Sequence, residues 1–162
     1  MAIQTFTNAT ILLGTAWTGT APGAAATPSG TINSGSGTYI DATSFCESVG
    51  VEFGIDLKDG PTFGSAAFNV KYGGLKSGTY TFSFLGDYAA SQIAATLNTV
   101  GLGATLYVDV KPTSSARGTG NPSYVGAVLL DKIPFLNVGA PGELSKISLT
   151  LMTTGAFAVL VA

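Results

Sequence analysis

Residues Gly74 to Pro112 read GLKSGTYTFSFLGDYAASQIAATLNTVGLGATLYVDVKP. Tyr80, Phe82 and Phe84 alternate with Thr79, Thr81 and Ser83, and Leu106, Val108 and Val110 alternate with Tyr107, Asp109 and Lys111. A period of two is that of a half-buried strand, so each flank predicts a strand. Between them Ala90, Ile93, Leu97 and Val100 recur at helical spacing, Asp87 suits an N-cap, and Gly101 and Gly103 supply a stop. The unit is strand, short helix over about 87–100, strand.

Working outward, Val49, Val51, Phe53, Ile55 and Leu57 fall on one face of a strand and Gly50, Glu52, Gly54 and Asp56 on the other. The first face reads as core and the second as wet. Lys58-Asp59-Gly60-Pro61 predicts a turn, Phe63 to Tyr72 a returning strand, and Lys71 to Gly78 a second turn. On the other side, TSSARGTGNPS is a loop of turn formers holding the only arginine, Arg117. Tyr124 to Leu130 is apolar almost throughout, as in a strand covered on both faces. Lys132 to Gly142 is a connection, and Ile147 to Leu151 and Phe157 to Val161 are two further strands.

Residues 3–13, IQTFTNATILL, predict one or two short strands broken near Asn8. Residues 14–37 are almost all Thr, Ala, Gly, Pro and Ser without a charge, and Trp17 is their only large anchor. Such a segment builds no core. It reads as an extended arm or long loop ordered on a neighbouring subunit, with Trp17 as the inter-subunit anchor, and its composition fits disorder equally well. Eight to ten strands and one helix predict a mainly β fold, an antiparallel sandwich or barrel with a flanking helix, as a single domain over 1–162.

The chain has 162 residues, of which 10% are charged, with seven Lys plus Arg against nine Asp plus Glu. A free soluble domain usually carries about a quarter of its residues as charges, so the deficit favours a surface covered by neighbouring copies. A net charge of −2 with no basic cluster argues against binding nucleic acid through its phosphates. The first charge is Asp41, so no basic signal region is expected at the N-terminus, and no run of about 18 apolar residues predicts a membrane span. Synthesis and folding in the cytoplasm are the expectation.

With no histidine, Ser-His, Cys-His and His-metal arrangements are all excluded. Cys46 is the one cysteine, so no disulfide closes within the chain, and it reads as a small buried apolar residue. Lys76-Ser77 in GGLKSG lacks the glycines of a phosphate loop, and Gly101-Leu102-Gly103 lacks the third glycine of a dinucleotide fingerprint. Glu52 and Asp56, with Asp59 nearby, are the one local group of carboxylates. Four residues apart on a strand, the first two stand about 13 Å from each other, too far to share a proton or a cation. Asn8-Ala9-Thr10 matches the glycosylation triplet by chance. Neither a catalytic residue nor a cofactor or metal site is expected.

Several phrases carry a resemblance: Gly74-Leu75-Lys76-Ser77-Gly78 into Tyr80–Phe84, Asp87-Tyr88-Ala89-Ala90, and Val108-Asp109-Val110-Lys111-Pro112-Thr113-Ser114. Further on come Asn121-Pro122-Ser123-Tyr124-Val125-Gly126, Val138-Gly139 and Thr154-Gly155. Over about 49–155 the chain resembles the tail tube (major tail) proteins of long-tailed, non-contractile bacteriophages. The resemblance implies a non-enzymatic virion protein that forms stacked hexameric rings and a tube through which DNA passes during ejection without specific binding. It also implies assembly in the host cytoplasm and contact with tape measure, tail terminator and distal tail proteins, with no membrane. Glu52 and Asp56 are the candidates for the lumen wall. A capsid decoration protein or other virion surface protein is the alternative, and a carbohydrate-binding module or enzyme is disfavoured by the missing histidine and the single tryptophan.

Overall fold

The computed structural model describes residues 8–22, 28–60, 70–85, 93–133 and 145–161. Their elements are β1 (Thr10–Gly14), β2 (Trp17–Thr18), β3 (Thr31–Ile32), β4 (Tyr39–Asp41), β5 (Cys46–Gly60), β6 (Val70–Leu85), α1 (Ile93–Val100), β7 (Thr105–Lys111), β8 (Ser123–Leu129) and β9 (Lys146–Leu160). Seven strands form one sheet in the order β4-β1-β7-β8-β9-β6-β5, with every pairing antiparallel. β2 and β3 make a separate two-stranded ribbon.

The fold turns on β9. Its first half, Lys146 to Met152, pairs with β6, and its second half, Met152 to Leu160, pairs with β8. One strand thus serves two neighbours in succession and carries the sheet from one layer into a second. The layers face each other: Phe53 of β5 stacks on Phe157 of β9 with centroids 4.1 Å apart and lies 6.3 Å from Tyr124 of β8. β5 and β8 are not sheet neighbours, so they meet only because the sheet curls over itself. The architecture is the expected antiparallel sandwich with one helix.

The alternation read from the sequence fills the space between the layers. Tyr80, Phe82 and Phe84 are buried and stack in series at 6.3 and 5.3 Å, while Leu106, Val108 and Val110 close in from β7. Ile147, Leu149 and Leu151 do the same from β9. In α1, Ile93, Ala94 and Leu97 share the buried face. Gly101 and Gly103 take φ of 82° and 81°, the left-handed region where a side chain is strained, and so end the helix. The amide of Gly103 then donates to the carbonyl of Leu130 at 2.9 Å, which feeds the chain into β7 beside β8. Asp87 and Ala90, and Phe63 to Phe68, lie outside the described residues.

Three expectations need correction. Lys58 and Asp59 do not turn: β5 runs on to Gly60, paired with Val70. Lys71 to Gly78 is likewise strand, so β5 and β6 form one long hairpin in place of shorter strands and two turns. The two expected C-terminal strands are one continuous β9. Glycines masked this continuity: Gly73, Gly74 and Gly78 break the apolar alternation, yet backbone pairing needs no side chain to persist. The pairing slips at Glu47, between Cys46 and Ser48, and again beside Asp56, where Ile55 faces Lys76 and Leu57 faces Gly73, a bulge that places the extra residue on β6.

Residues 14–37 are described at 14–22 and 28–37, where they fold onto their own chain. Ile32 of the ribbon is buried, the Trp17 indole N–H donates to the Ser29 carbonyl at 2.8 Å, and its ring lies 5.7 Å from that of Tyr107. Among the described residues no helix is long and apolar enough to cross a membrane.

Phe82 sits at the centre of the aromatic series, so Phe82→Ala is expected to lower unfolding free energy by about 3–5 kcal/mol. Urea denaturation followed by circular dichroism measures this, and Leu75→Ala, at an exposed position, serves as the control with little change in midpoint.

Candidate assembly surface

The hairpin outruns the core. Val49, Val51 and Phe53 pack against the buried cluster, but beyond Phe53 every residue of β5 up to Asp59 is exposed. Ile55 and Leu57, expected on the core face, are exposed, together with Tyr72 and Leu75 across the hairpin. Leu75 keeps 82% of its surface in solvent. At about 25 cal/mol per Å² such side chains carry a standing cost in water. Met152 and Val159 on β9 are exposed as well.

Backbone groups add to this surface. β5 is the last strand of the sheet, so its outer edge is unpaired along its length among the described residues. β6 pairs with β9 only from Thr79 onward, which leaves the β9-side edge of Val70 to Ser77 without a strand partner among the described residues. The ladder ends on a side chain: the Gly78 amide donates to Thr153 Oγ1 at 2.9 Å where a backbone carbonyl would otherwise stand. From there the two strands separate, and Lys76, Thr153 and Phe157 line the notch between them. Open edges of this length are a template for pairing with another chain.

The charges on the hairpin are largely matched. Asp56 lies 2.5 Å from Lys58 and Asp59 lies 3.4 Å from Lys71, all four well exposed, so each pair contributes at most about 1 kcal/mol. Glu52 and Asp56, the sequence candidates for a lumen wall, are both exposed on β5, but the structure gives Asp56 a cation beside it. Glu52 has no ion-pair partner among the described residues. Trp17, the candidate anchor, is half-buried against Tyr107.

A buried ionic cluster on β7 and β8 escaped the sequence reading. Asp109 stands among the expected outward residues of β7, yet it is only 2% exposed. It accepts a short hydrogen bond from Ser123 Oγ and a second from Arg117 Nη2 at 3.4 Å. Arg117 also donates to the Gly30 carbonyl at 3.1 Å and so ties the β2–β3 ribbon to the sheet. Asn121 holds the intervening loop by donating to the Ser115 carbonyl at 2.8 Å and accepting from the Thr113 amide at 2.9 Å. One weak signal pointed here: a single arginine and a single aspartate close in sequence, in a chain otherwise poor in charge. The cluster staples a loop and a ribbon, and it lacks the paired acid and base or activated nucleophile of a catalytic site.

Other perturbed groups follow from burial. Tyr80 is pushed well above the usual phenol range, first by burial and then by the Asp109 carboxylate, and its hydroxyl has no partner among the described residues. Burial also raises the Cys46 thiol, partly offset by hydrogen bonds with the backbone of Ser48 and Ser83, which keeps it protonated and a weak nucleophile. Tyr39 is raised by burial and by Asp41 and Asp109. Among the described residues no three His, Cys, Asp or Glu side chains gather to hold a metal.

No family model and no curated protein matches the chain. Solved structures do. A chain in the virion of a native gene transfer agent particle superposes with a TM-score of 0.54 at 12% identity, over 76% of this chain and 89% of that one. A chain in the tail of an empty gene transfer agent particle, an assembly with C6 symmetry, superposes with a TM-score of 0.57 at 13% identity, over 80% and 91%. The chain shares its fold with these two chains. At such low identity the likeness lies in the strand arrangement and not in shared side chains, and it covers 89% and 91% of those two chains.

Removing Arg117 leaves the Asp109 carboxylate buried without its cation. Arg117→Ala is expected to cost about 3–5 kcal/mol in chemical denaturation and to expose the ribbon to limited proteolysis, whereas Arg117→Lys recovers only part of the loss because it cannot reach Asp109 and Gly30 together.

Proposed function

We propose that the chain is a structural protein of a phage-like tail, assembling with copies of itself into six-fold rings that stack as a tube for DNA. The observation that carries this reading is the projecting hairpin with Ile55, Leu57, Tyr72 and Leu75 in solvent. A fold found in chains of a gene transfer agent virion and of a C6-symmetric gene transfer agent tail is the support from outside the chain. Head-to-tail contacts between unlike edges close into a ring when the rotation permits, and a second heterologous contact repeats along the axis into a filament. The unpaired edges of β5, β6 and β9 suit the first contact and the apolar hairpin suits the second.

A low-charge tube wall neither holds nor sorts the phosphates of passing DNA. Glu52 and Asp56 belong to that wall in this reading, and Trp17 with its ribbon belongs to a contact between subunits. The tube would sit in the virion after assembly in the host cytoplasm, with tape measure, terminator and distal tail proteins as further partners. Nothing in it requires a cofactor or a catalytic step.

Leu57→Asp combined with Leu75→Asp puts charge on the apolar hairpin without touching the core. Sedimentation should show the wild type in large assemblies and the double variant as subunits with an unchanged circular dichroism spectrum; equal assembly by both would remove the hairpin from the interface. In tails already formed, Glu52→Lys with Asp56→Lys should slow DNA release with tube length unaltered, measured by dye uptake on ejection. Unchanged release would take both residues off the wall.

A further inference from the structure

The layer made by β5, β6 and the first half of β9 turns one face to the core and the other away from it. Tyr80, Phe82 and Phe84 of β6 with Ile147, Leu149 and Leu151 of β9 take the inner face, so the residues between them share the outer one. The register sets these outer residues in rows across three strands. Ser48, Ser83 and Ser148 form one row, and Gly50, Thr81 and Thr150 form the next. Glu52, Thr79 and Met152 form a third. Every member is exposed or half-buried, and no row contains a cation.

Ion pairs bound this field at either end. Glu47 meets Lys146 at 2.8 Å beside the serine row, and Asp56 meets Lys58 at 2.5 Å towards the hairpin tip. Glu52 lies between them as the one charge in the three rows. The second layer presents a different outer face. There the β2–β3 ribbon lies over β7, with Trp17 against Tyr107 and Ile32 buried, and Arg117 reaches from Asp109 to the Gly30 carbonyl. Of the two broad faces, one is covered by the chain itself, and the other is bare and rich in hydroxyls.

That chemistry suits a polyanion that must pass without being held. Lysine and arginine hold a phosphate by releasing its counterions, whereas neutral hydroxyls release none, so the contacts that Ser and Thr make with phosphate exchange readily with water. An apolar face would call for cover by another copy, and a face of mixed charge would lock onto one. The Glu52 carboxylate adds repulsion, and six-fold symmetry would repeat it as a ring at one height.

We propose that this outer face of β5, β6 and β9 lines the bore of the tube, with its serine and threonine rows against the hydrated duplex and Glu52 as its one uncompensated charge. Asp56, matched by Lys58, adds little to the field of the wall. The inference rests on the tube reading above and goes further by choosing between the two faces of the sandwich.

Electron microscopy of a Cys46→Ser parent comes first: absence of tubes would remove the tube reading and this inference with it. On that parent, Thr81→Cys and Thr150→Cys, made singly, are assembled, treated with biotin maleimide and probed with streptavidin, which is too wide for a bore that fits one duplex. The expected result is biotin on intact tubes, read by mass after dissociation, with streptavidin bound only once the tubes are taken apart. Streptavidin on intact tubes would put the face outside. No biotin in tubes, or loss of tubes in either variant, would put it between copies. Each of these overturns the assignment and leaves the tube reading standing. In tails of unaltered length, Thr81→Lys should slow DNA release several-fold, and release at the wild-type rate contradicts the proposal.

Discussion

The constraint from which the rest follows is the pairing of β9. A strand has two edges, and β9 spends its first seven residues on β6 and the remainder on β8, sharing only Met152 between them. That division curls the sheet, brings Phe53 of β5 over Phe157 of β9, and encloses the aromatic series of Tyr80, Phe82 and Phe84. It also fixes where the β5–β6 hairpin parts company with the rest. Thr153 closes the ladder with its hydroxyl at Gly78, and beyond that point the hairpin has backbone pairing with itself but no layer beneath it among the described residues.

The same division sets what the surface must do. Past Gly78 the hairpin exposes four large apolar side chains, and both it and β9 present open edges. With 10% of residues charged, little on the molecule keeps copies apart. Surface ion pairs such as Asp56–Lys58 contribute too little to change that balance. The proposed assembly would cover these surfaces, and the fold shared with chains of gene transfer agent particles is in keeping with it.

Where side chains meet the core, the sequence was readable. Tyr80, Phe82, Phe84, Leu106, Val108, Val110, Ile147, Leu149 and Leu151 are all buried as their alternation predicts, and the glycines after α1 stop it as read. The hairpin was misjudged because Ile55 and Leu57 continue the same phase as Val49, Val51 and Phe53, and periodicity distinguishes an apolar face from a polar one but not a core from an interface. The turn assigned to Lys71–Gly78 failed for the converse reason: glycine-rich strand held by its neighbour's backbone leaves no side-chain pattern to follow. Asp109 was placed outward by alternation. Its burial depends on Arg117 and Ser123 folding back over it, a contact across a loop that spacing along the chain does not encode.

The central claim is that this surface exists to be covered by copies of the same chain in a tube. Electron microscopy of the purified protein over a concentration series tests it most directly. The account predicts hollow rings at low concentration and tubes of uniform bore with six-fold end views as concentration rises. A stable monomer or a compact trimer at every concentration would contradict it.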